Sequence, residues 1–537
     1  MIERVLENWL DNAGERTFQV PFCHMLQAEG YTILHMTRHC SMEIGKDIIA
    51  IDSTGTPCTF QLKGSKGKKI SLSQWRDEIS TQVADLLFCK IVHPSVEQSK
   101  PHRSFLVTNG EIEEEVCRAI DDLNRLWADR GQPEIKLETI VRGQMLEMAK
   151  KVGLSLWPSE LIDIKTFLEV YLYDGSSSLP KDKLASLFAS TLLLCENSVG
   201  KKPTKAKCVR NISSCSLLCA SAISSFSNCN NYLAEIEAWT MYLSYTFACV
   251  ERWNLKEEDV KGSVNIALNT IYNCLGLLCD ELISKKHYIE GNAMTDRQVY
   301  NIRITIVTAL MSIYALWRKI NKEEPNTHDH FIKEFVVNNL KKLQLWGEKA
   351  SSQFVAIYWY WRTIDATLSS DFLLRDLLNI IITQNHPDSK TYLPNPYFDE
   401  EKILPHLLGL TTEKLDEEFK GASYTVEGIM HLFVRRNWKQ EMKFLWPNIT
   451  RVGFYSFKPE NLWQFYLWRS EKGTNISFYP PYTKEWEKLK EESFEHEGKD
   501  IPIYLKKHYV FFILFLIVYP HRVRADVLRW LDTKLIE

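Results

Sequence analysis

Two strand-like runs, DIIAID at 47–52 and CTFQLK at 58–63, are separated by only a few turn-forming residues. This spacing predicts a β-hairpin, because Ser, Thr, Gly and Pro between two such runs favour a tight reversal of the chain. Side chains alternate along a strand, so Thr59, Gln61 and Lys63 share one face of the second run. A strand predicted to be central and buried therefore carries a polar face that needs partners.

Further helices and strands are predicted around this hairpin, all within the first 150 residues. An amphipathic helix opens the chain, and a second helix is expected from Pro21 to Gly30, because proline favours helix starts and glycine favours helix ends. The resulting order, α-α-β-β-β-α-β-α-β, predicts an α/β domain with a mixed central sheet flanked by helices. The additional strands are expected at 31–37, 104–108 and 135–141.

From about residue 155 onward the apolar spacing is that of helices, without a fixed-period repeat. The sequence thus predicts an α/β N-terminal domain followed by a large all-α C-terminal region. A chain of 537 residues is long enough for several cores. The expected domains are 1–150, 151–400 and 401–537, and the last two could be continuous.

Composition narrows the function classes. A formal net charge of -3 excludes a globally basic nucleic-acid coat, although local basic patches remain compatible with it. Thirteen scattered cysteines without a C-x-x-C pair favour buried thiols over a metal site and favour a reducing compartment. The longest apolar run, 509–519, is shorter than the ~20 residues of a spanning helix, and the charged N-terminus is unlike a signal peptide. We therefore expect a cytoplasmic protein that does not associate with a membrane.

The hairpin residues have the chemistry of phosphodiester cleavage. That reaction needs a divalent cation held by oxygen ligands, a polarised water and a positive group near the developing charge. The carboxylate of Asp47, the side-chain oxygen of Gln61 and the backbone carbonyl of Leu62 are hard ligands that suit Mg²⁺, with Mn²⁺ as a substitute. Lys63 would orient or deprotonate the water, or stabilise the phosphate. In the plainer alternative, Asp47 caps a strand and Lys63 is a solvated edge residue.

The segments GKDIIAID and QLK together resemble the PD-(D/E)XK restriction-endonuclease fold, and most closely its Mrr-like branch, in which Gln-x-Lys replaces (D/E)-x-K. The stretches GYTILHM, FLVTNGEI and IKLETIVRGQML are similar to other core strands of that branch and occur in its order. The resemblance covers roughly residues 15–147. It implies a metal carboxylate at Asp47, a second ligand at Gln61 and a catalytic lysine at Lys63.

Two further acids are candidates for the same site. Glu43 precedes Asp47 and is either an additional catalytic acid or an ordinary loop carboxylate. Many members of the family also carry a glutamate on the first core helix. Here the candidates are Glu15 and Glu29, with Gln19 between them, and their spacing does not select one.

A set of polar side chains just after the hairpin is expected to contact DNA. Three lysines lie in a glycine-interrupted loop that could reach backbone phosphates without reading sequence, or could simply be solvated. Two more side chains lie on the helix that follows and would flank the site. The five residues are Lys66, Lys68, Lys69, Arg76 and Gln82.

Outside this domain, the run FVRRNWKQEMKF places four basic residues on or near one helix face, namely Arg435, Arg436, Lys439 and Lys443. Such a basic face binds phosphate or an acidic partner, or is merely solvated, and solvation is the default. No other catalytic motif stands out in the helical region.

These observations lead to the hypothesis of a metal-dependent DNA endonuclease whose helical region senses, recruits or oligomerises. The architecture resembles bacterial restriction and antiphage effectors, which implies DNA as substrate and either a homo-oligomer or a partner protein of a defence system. Two alternatives stay open. One is a non-catalytic nucleic-acid-binding or scaffold protein with a degenerate nuclease fold, and the other is a nuclease directed at RNA.

Overall fold

The computed structural model describes most of the chain, with gaps between the described segments. It divides the protein into two compact units, Met1–Asn273 and Cys274–Glu537. The domain boundaries 1–150, 151–400 and 401–537 remain predictions. The described residues are 2–36, 46–65, 68–91, 96, 101–153, 161–195, 202–285, 289, 297–364, 371–398, 400–411, 420–468, 476–481, 485–494, 498 and 500–536.

The first unit is built on a mixed sheet. The strands are β1 (Thr32–Met36), β2 (Ile48–Ile51), β3 (Pro57–Lys63), β4 (Lys69–Ile70), β5 (Arg103–Thr108), β6 (Glu111–Ile112) and β7 (Leu137–Ile140). Five of them hydrogen-bond in the order β1–β2–β3–β5–β7, and β4 and β6 form a separate parallel pair. The pairs β1–β2 and β2–β3 are antiparallel, whereas β3–β5 and β5–β7 are parallel.

The predicted hairpin is present as β2 and β3, with Ile48 opposite Phe60 and Ile51 opposite Pro57. Asp52 forms the turn, because its Oδ1 accepts hydrogen bonds from the backbone nitrogens of Thr54 and Thr56, both at 2.9 Å. Strand β3 lies at the centre of the sheet and is buried as far as Leu62, as the sequence predicts.

Helices cover both faces of the sheet. Helix α2 lies on one face, where the Phe22 ring contacts the Phe60 ring of β3 edge-on at 5.8 Å. Helices α3 and α4 pack on the other face, where Trp75 and Ile79 join Leu106 in one apolar cluster. Helix α3 is irregular, with a π-helical turn at Trp75–Ile79 between two α-helical parts, Leu72–Gln74 and Ser80–Phe88. The helices are α1 (Ile2–Asn12), α2 (Glu15–Ala28), α3 (72–88), α4 (Glu114–Asp129) and α5 (Arg142–Gly153).

The predicted start of α2 at Pro21 is wrong, because the helix begins at Glu15 and contains Pro21. An internal proline costs a helix about 3 kcal/mol. Burial offsets this cost, since every residue from 18 to 26 is buried. The helix is enclosed by the sheet on one side and by helix Lys205–Ala222 on the other.

Most of the remaining described chain is helical. In the first unit the helices are Leu161–Tyr171, Lys181–Thr191, Lys205–Ala222, Ser224–Asn228 and Tyr232–Trp253, and Lys261–Ser284 runs past its end. In the second unit they are Arg297–Ile320, Thr327–Asn339, Ser351–Ile364, Asp371–Gln384, Glu400–Leu407, Val426–Arg435, Lys439–Met442, Trp446–Ile449, Trp486–Phe494, Ile503–Lys507, Tyr509–Val518 and Ala525–Ile536.

Two of these helices, Lys261–Ser284 and Arg297–Ile320, are long and apolar enough to cross a membrane. Within the protein, 56% and 67% of their most apolar windows are buried. Core helices of soluble proteins have the same length and composition, so these two helices are weak evidence for a membrane protein.

The prediction of an all-α C-terminal region is wrong in one respect. The second unit contains a small sheet in the order β10–β9–β8, formed by Ala422–Ser423 (β8), Gly453–Phe457 (β9) and Ile476–Tyr479 (β10). Cross-strand aromatic pairs stabilise it, among them Tyr455 and Phe478 with ring centres 5.3 Å apart. Such short strands carry too few residues for alternation to reveal them in a sequence.

Candidate active site

Asp47 lies immediately before β2 and faces the next strand. Its backbone nitrogen donates to the carbonyl of Phe60 at 2.9 Å, which holds it in the ladder of the hairpin. Its carboxylate Oδ2 accepts hydrogen bonds from the backbone nitrogen of Leu62 and from Nε2 of Gln61, both at 2.6 Å. Asp47 is 8% exposed and Gln61 is 5% exposed. The structure therefore brings these two predicted residues into direct contact in a buried setting.

Only the nitrogen of the Gln61 side-chain amide has a hydrogen-bond partner among the described residues. Its Nε2 donates to Asp47 and lies 3.5 Å from the carbonyl of Leu62. Its Oε1 is buried without a hydrogen-bond partner among the described residues. An unsatisfied buried acceptor typically costs about 1–3 kcal/mol, so a partner for this oxygen would stabilise the site.

These donors fit a hard divalent cation. Mg²⁺ prefers carboxylate and carbonyl oxygens, and it is usually held by one or two carboxylates together with water. Asp47 supplies the carboxylate, while Gln61 Oε1 and the Leu62 carbonyl are neutral oxygens. Within the described ranges, no three His, Cys, Asp or Glu side chains gather in a cation-binding group. Rotation of the Gln61 amide would turn its oxygen towards Asp47 and complete the predicted pair.

Lys63 ends β3 on the same face as Gln61. Its side chain is 15% exposed, and its Nζ donates to Oε1 of Glu78 at 2.9 Å. Glu78 lies in the π-helical turn of α3. Lys63 is therefore an ordered, mostly buried lysine and not the solvated edge residue of the plainer alternative.

Helix α2 contributes two side chains to the same end of the sheet. Oε2 of Glu15 accepts from the backbone nitrogen of Gly64 at 3.3 Å, and Nε2 of Gln19 donates to the carbonyl of Asp47 at 3.4 Å. A side chain at Gly64 would approach the backbone nitrogen of Glu15 to 2.6 Å, so only glycine allows this contact. Glu29 instead pairs with Lys151 at 3.0 Å. Of the acids proposed for the first core helix, Glu15 is the one beside the hairpin.

The chain that follows β3 is anchored by residues that the sequence did not single out. Oδ1 of Asn109 accepts from the backbone nitrogen of Ser65, and Oγ1 of Thr108 hydrogen-bonds the Ser65 hydroxyl, both at 2.8 Å. Nδ2 of Asn109 donates to the carbonyls of Leu10 and Ala13 just before α2. This fully buried amide thus ties the start of α2 to the end of β3.

The residues predicted to contact DNA differ in their exposure to solvent. Lys68 and Lys69 are exposed, and Lys69 lies in β4. Arg76 is exposed on the π-helical turn. Gln82 is half-buried, and its Oε1 has no hydrogen-bond partner in the described part of the chain. Glu43 and Lys66 lie outside the described residues.

Lys46 precedes Asp47 and is 4% exposed. Its Nζ donates to the carbonyl of Asp85 near the end of α3 at 3.0 Å. Burial lowers the pKa of Lys46, an effect that the neighbouring Cys89 and Asp85 oppose. This lysine therefore packs against α3, beside the carboxylate that faces Gln61.

No family model matches the chain, and no curated protein or solved structure matches it either. Support for a function comes from the residues at the sheet end.

Proposed function

We propose that this protein is a metal-dependent DNA endonuclease whose active site lies around Asp47, Gln61 and Lys63. The observation that carries the proposal is the direct contact between Asp47 and Gln61 across the hairpin. Lys63 follows on the same face of β3, so a carboxylate, an amide and an amine are aligned along one strand pair.

In the proposed site, Asp47, Gln61 Oε1 and the Leu62 carbonyl hold Mg²⁺, and Mn²⁺ substitutes for it. The bound ion would polarise water and stabilise negative charge on the phosphate. Lys63 would place its ammonium against the same charge, and Glu15 would supply a second acid from α2. Lys68, Lys69 and Arg76 would contact backbone phosphates, because all three are exposed cations.

A second function is favoured by one observation. Gln61 presents its nitrogen, and not its oxygen, to Asp47, so the amide and the carboxylate partner each other without a cation. A non-catalytic nucleic-acid-binding or scaffold protein would keep this arrangement permanently. Calorimetry with Mn²⁺ separates the two functions, because the nuclease should bind the ion in a manner that Asp47→Ala abolishes.

The cellular role extends this proposal by analogy of architecture. A nuclease module joined to a long helical region is the plan of bacterial restriction and antiphage effectors. We accordingly propose a cytoplasmic protein that acts on DNA as a homo-oligomer or with a partner protein of a defence system.

Purified protein with Mg²⁺ or Mn²⁺ should cut plasmid DNA, and Lys63→Ala should not. Lys136→Ala is the matched control, because it removes the same charge from an exposed position before β7. Equal cutting by wild type and Lys63→Ala would remove the assignment. The same comparison on RNA of matched length separates a DNA nuclease from an RNA nuclease.

A further inference from the structure

The π-helical turn of α3 is the least regular backbone feature beside the proposed site. The backbone nitrogen of Ser80 bonds the carbonyl of Trp75, five residues back, where an α-helix would use the residue four back. Wide turns of this kind are rare and are found frequently at functional sites. The turn is held in place by two buried residues, Trp75 at 7% and Ile79 at 3% exposure.

The same turn carries the carboxylate that meets Lys63. Glu78 lies between the two buried anchors, and its Oε1 is 2.9 Å from Nζ of Lys63. The side chain of Glu78 is 62% exposed, so its contact with Lys63 contributes little to stability. The small contribution of this contact to stability therefore does not explain why the turn places a carboxylate at this lysine.

We propose that Glu78 is a positioning residue for the reaction, which holds the ammonium of Lys63 at the end of β3 where the scissile phosphate would lie. A lysine side chain has four flexible carbons, and fixing its charge before the reaction lowers the cost of reaching the transition state. This inference rests on the proposed nuclease function, because it assigns a role only in that reaction.

A matched pair of variants isolates the role of Glu78. Glu78→Gln keeps the shape of the side chain and removes its charge, while Asp77→Asn makes the same change on the adjacent, exposed position of the same turn. Positioning predicts that kcat for Mg²⁺-dependent cleavage falls about tenfold in Glu78→Gln with little change in KM. Glu78→Asp should recover part of the loss, and Asp77→Asn should behave as wild type.

One further measurement separates positioning from other roles. Amine-directed labelling followed by mass spectrometry should modify Lys63 several-fold faster in Glu78→Gln than in Asp77→Asn, because the ammonium is released.

Several outcomes would overturn the inference. A faster Glu78→Gln enzyme would show that the carboxylate competes with the phosphate for Lys63. Weaker Mn²⁺ binding in Glu78→Gln would make Glu78 a metal ligand instead. If wild type and Glu78→Gln cut equally, only the role of Glu78 is lost, whereas a wild type that cuts nothing with either metal removes the proposed function as well.

Discussion

Asp532 in the second unit and Asp47 in the first are both buried carboxylates, but their neighbours differ. Asp532 is fully buried and accepts from two guanidinium groups, Arg435 at 3.0 Å and Arg436 at 2.7 Å. The indole nitrogen of Trp359 also donates to it, at 3.1 Å. Asp47 accepts hydrogen bonds from the backbone nitrogen of Leu62 and from the side-chain amide of Gln61, and both of these donors are neutral.

The two buried carboxylates therefore differ in the charge of these hydrogen-bond donors. A carboxylate that is neutralised by two arginines has no capacity left for a cation, and removing one partner leaves a buried charge. The two hydrogen bonds that Leu62 and Gln61 donate to Asp47 bring no positive charge, and the amide oxygen of Gln61 lacks a partner among the described residues. The proposed function assigns Asp47 to the metal, whereas the ion pairs of Asp532 hold helices together.

The largest expected effect is the loss of cleavage activity when Asp47 is replaced. Asp47→Ala should reduce cleavage about 10³-fold, because it removes the charged ligand of the proposed metal. Its unfolding free energy should fall by only about 1–3 kcal/mol, the cost of an unsatisfied Leu62 N–H. Plasmid cleavage and urea unfolding measure the two quantities, and an active Asp47→Ala protein would contradict the assigned role.

Asp532→Ala should instead affect stability more than cleavage. Breaking a buried pair typically costs about 3–5 kcal/mol, so the urea midpoint of the second unit should fall markedly. The matched control is Asp388→Ala, whose side chain is 82% exposed, and it should change stability by no more than about 0.5 kcal/mol. Similar unfolding of the two variants would show that the ion pairs of Asp532 are dispensable.

Glu348 should make the stability of the second unit depend on pH. This glutamate accepts hydrogen bonds from Asn385 and Tyr424, yet burial raises its pKa from 4.5 to about 7. The folded state holds the proton more tightly than the unfolded state, so this contribution is full below pH 4.5 and is lost as pH rises through about 7. Unfolding free energy should fall by about 3 kcal/mol over that interval.

The control for this prediction is Glu348→Gln, which cannot titrate and should lose that slope. Urea unfolding at a series of pH values measures both proteins. An identical slope in wild type and variant would show that another group is responsible.

A smaller effect, on Mg²⁺ affinity, tests whether residue 61 binds the proposed metal together with Asp47. Gln61→Glu supplies a second carboxylate that needs no amide rotation, and Mg²⁺ affinity by calorimetry should rise about tenfold. Without metal, the two carboxylates repel and the variant should be less stable than wild type. Unchanged metal affinity would mean that residue 61 is not a ligand.

The smallest expected effect concerns the exposed lysines after β3. Replacing both Lys68 and Lys69 by alanine should weaken DNA binding a few-fold, and the slope of log affinity against log salt should fall by about 0.9 for each lost contact. Fluorescence anisotropy at several salt concentrations measures this slope. Lys136→Ala should keep the wild-type slope, and a double variant that also keeps it would exclude these lysines from the DNA contact.

The hairpin and its contacts could be predicted because they depend on local rules. Turn chemistry and alternation along a strand predict that Gln61 and Lys63 share a face, and the pairing of β2 with β3 carries Asp47 to the same place. The order of the longer helices and strands up to β7 follows from periodicity in the same way, whereas the two-residue strands β4 and β6 and the helix α5 were not predicted. None of this required knowledge of distant segments.

The remaining site residues come from elsewhere in the chain. Glu15 and Gln19 lie on one face of α2 only because the helix starts before Pro21, and burial on both sides permits that start. Glu78 depends on a π-helical turn that no periodicity reveals. The default of a solvated face describes the exposed Lys439 and Lys443. It is wrong for Arg435 and Arg436, which bind Asp532, about a hundred residues away in sequence. Local sequence patterns cannot predict ion pairs between residues that are so far apart along the chain.

Helix α2 has no free side in the first unit. The sheet covers one face, and on the other the ring of His24 meets that of Tyr242 with centres 6.1 Å apart. The sheet and the helices that follow it consequently pack against the same helix. A protein shortened after residue 150 would expose one side of α2 to water, so recombination in evolution or in the laboratory must carry the adjoining helices along with the sheet.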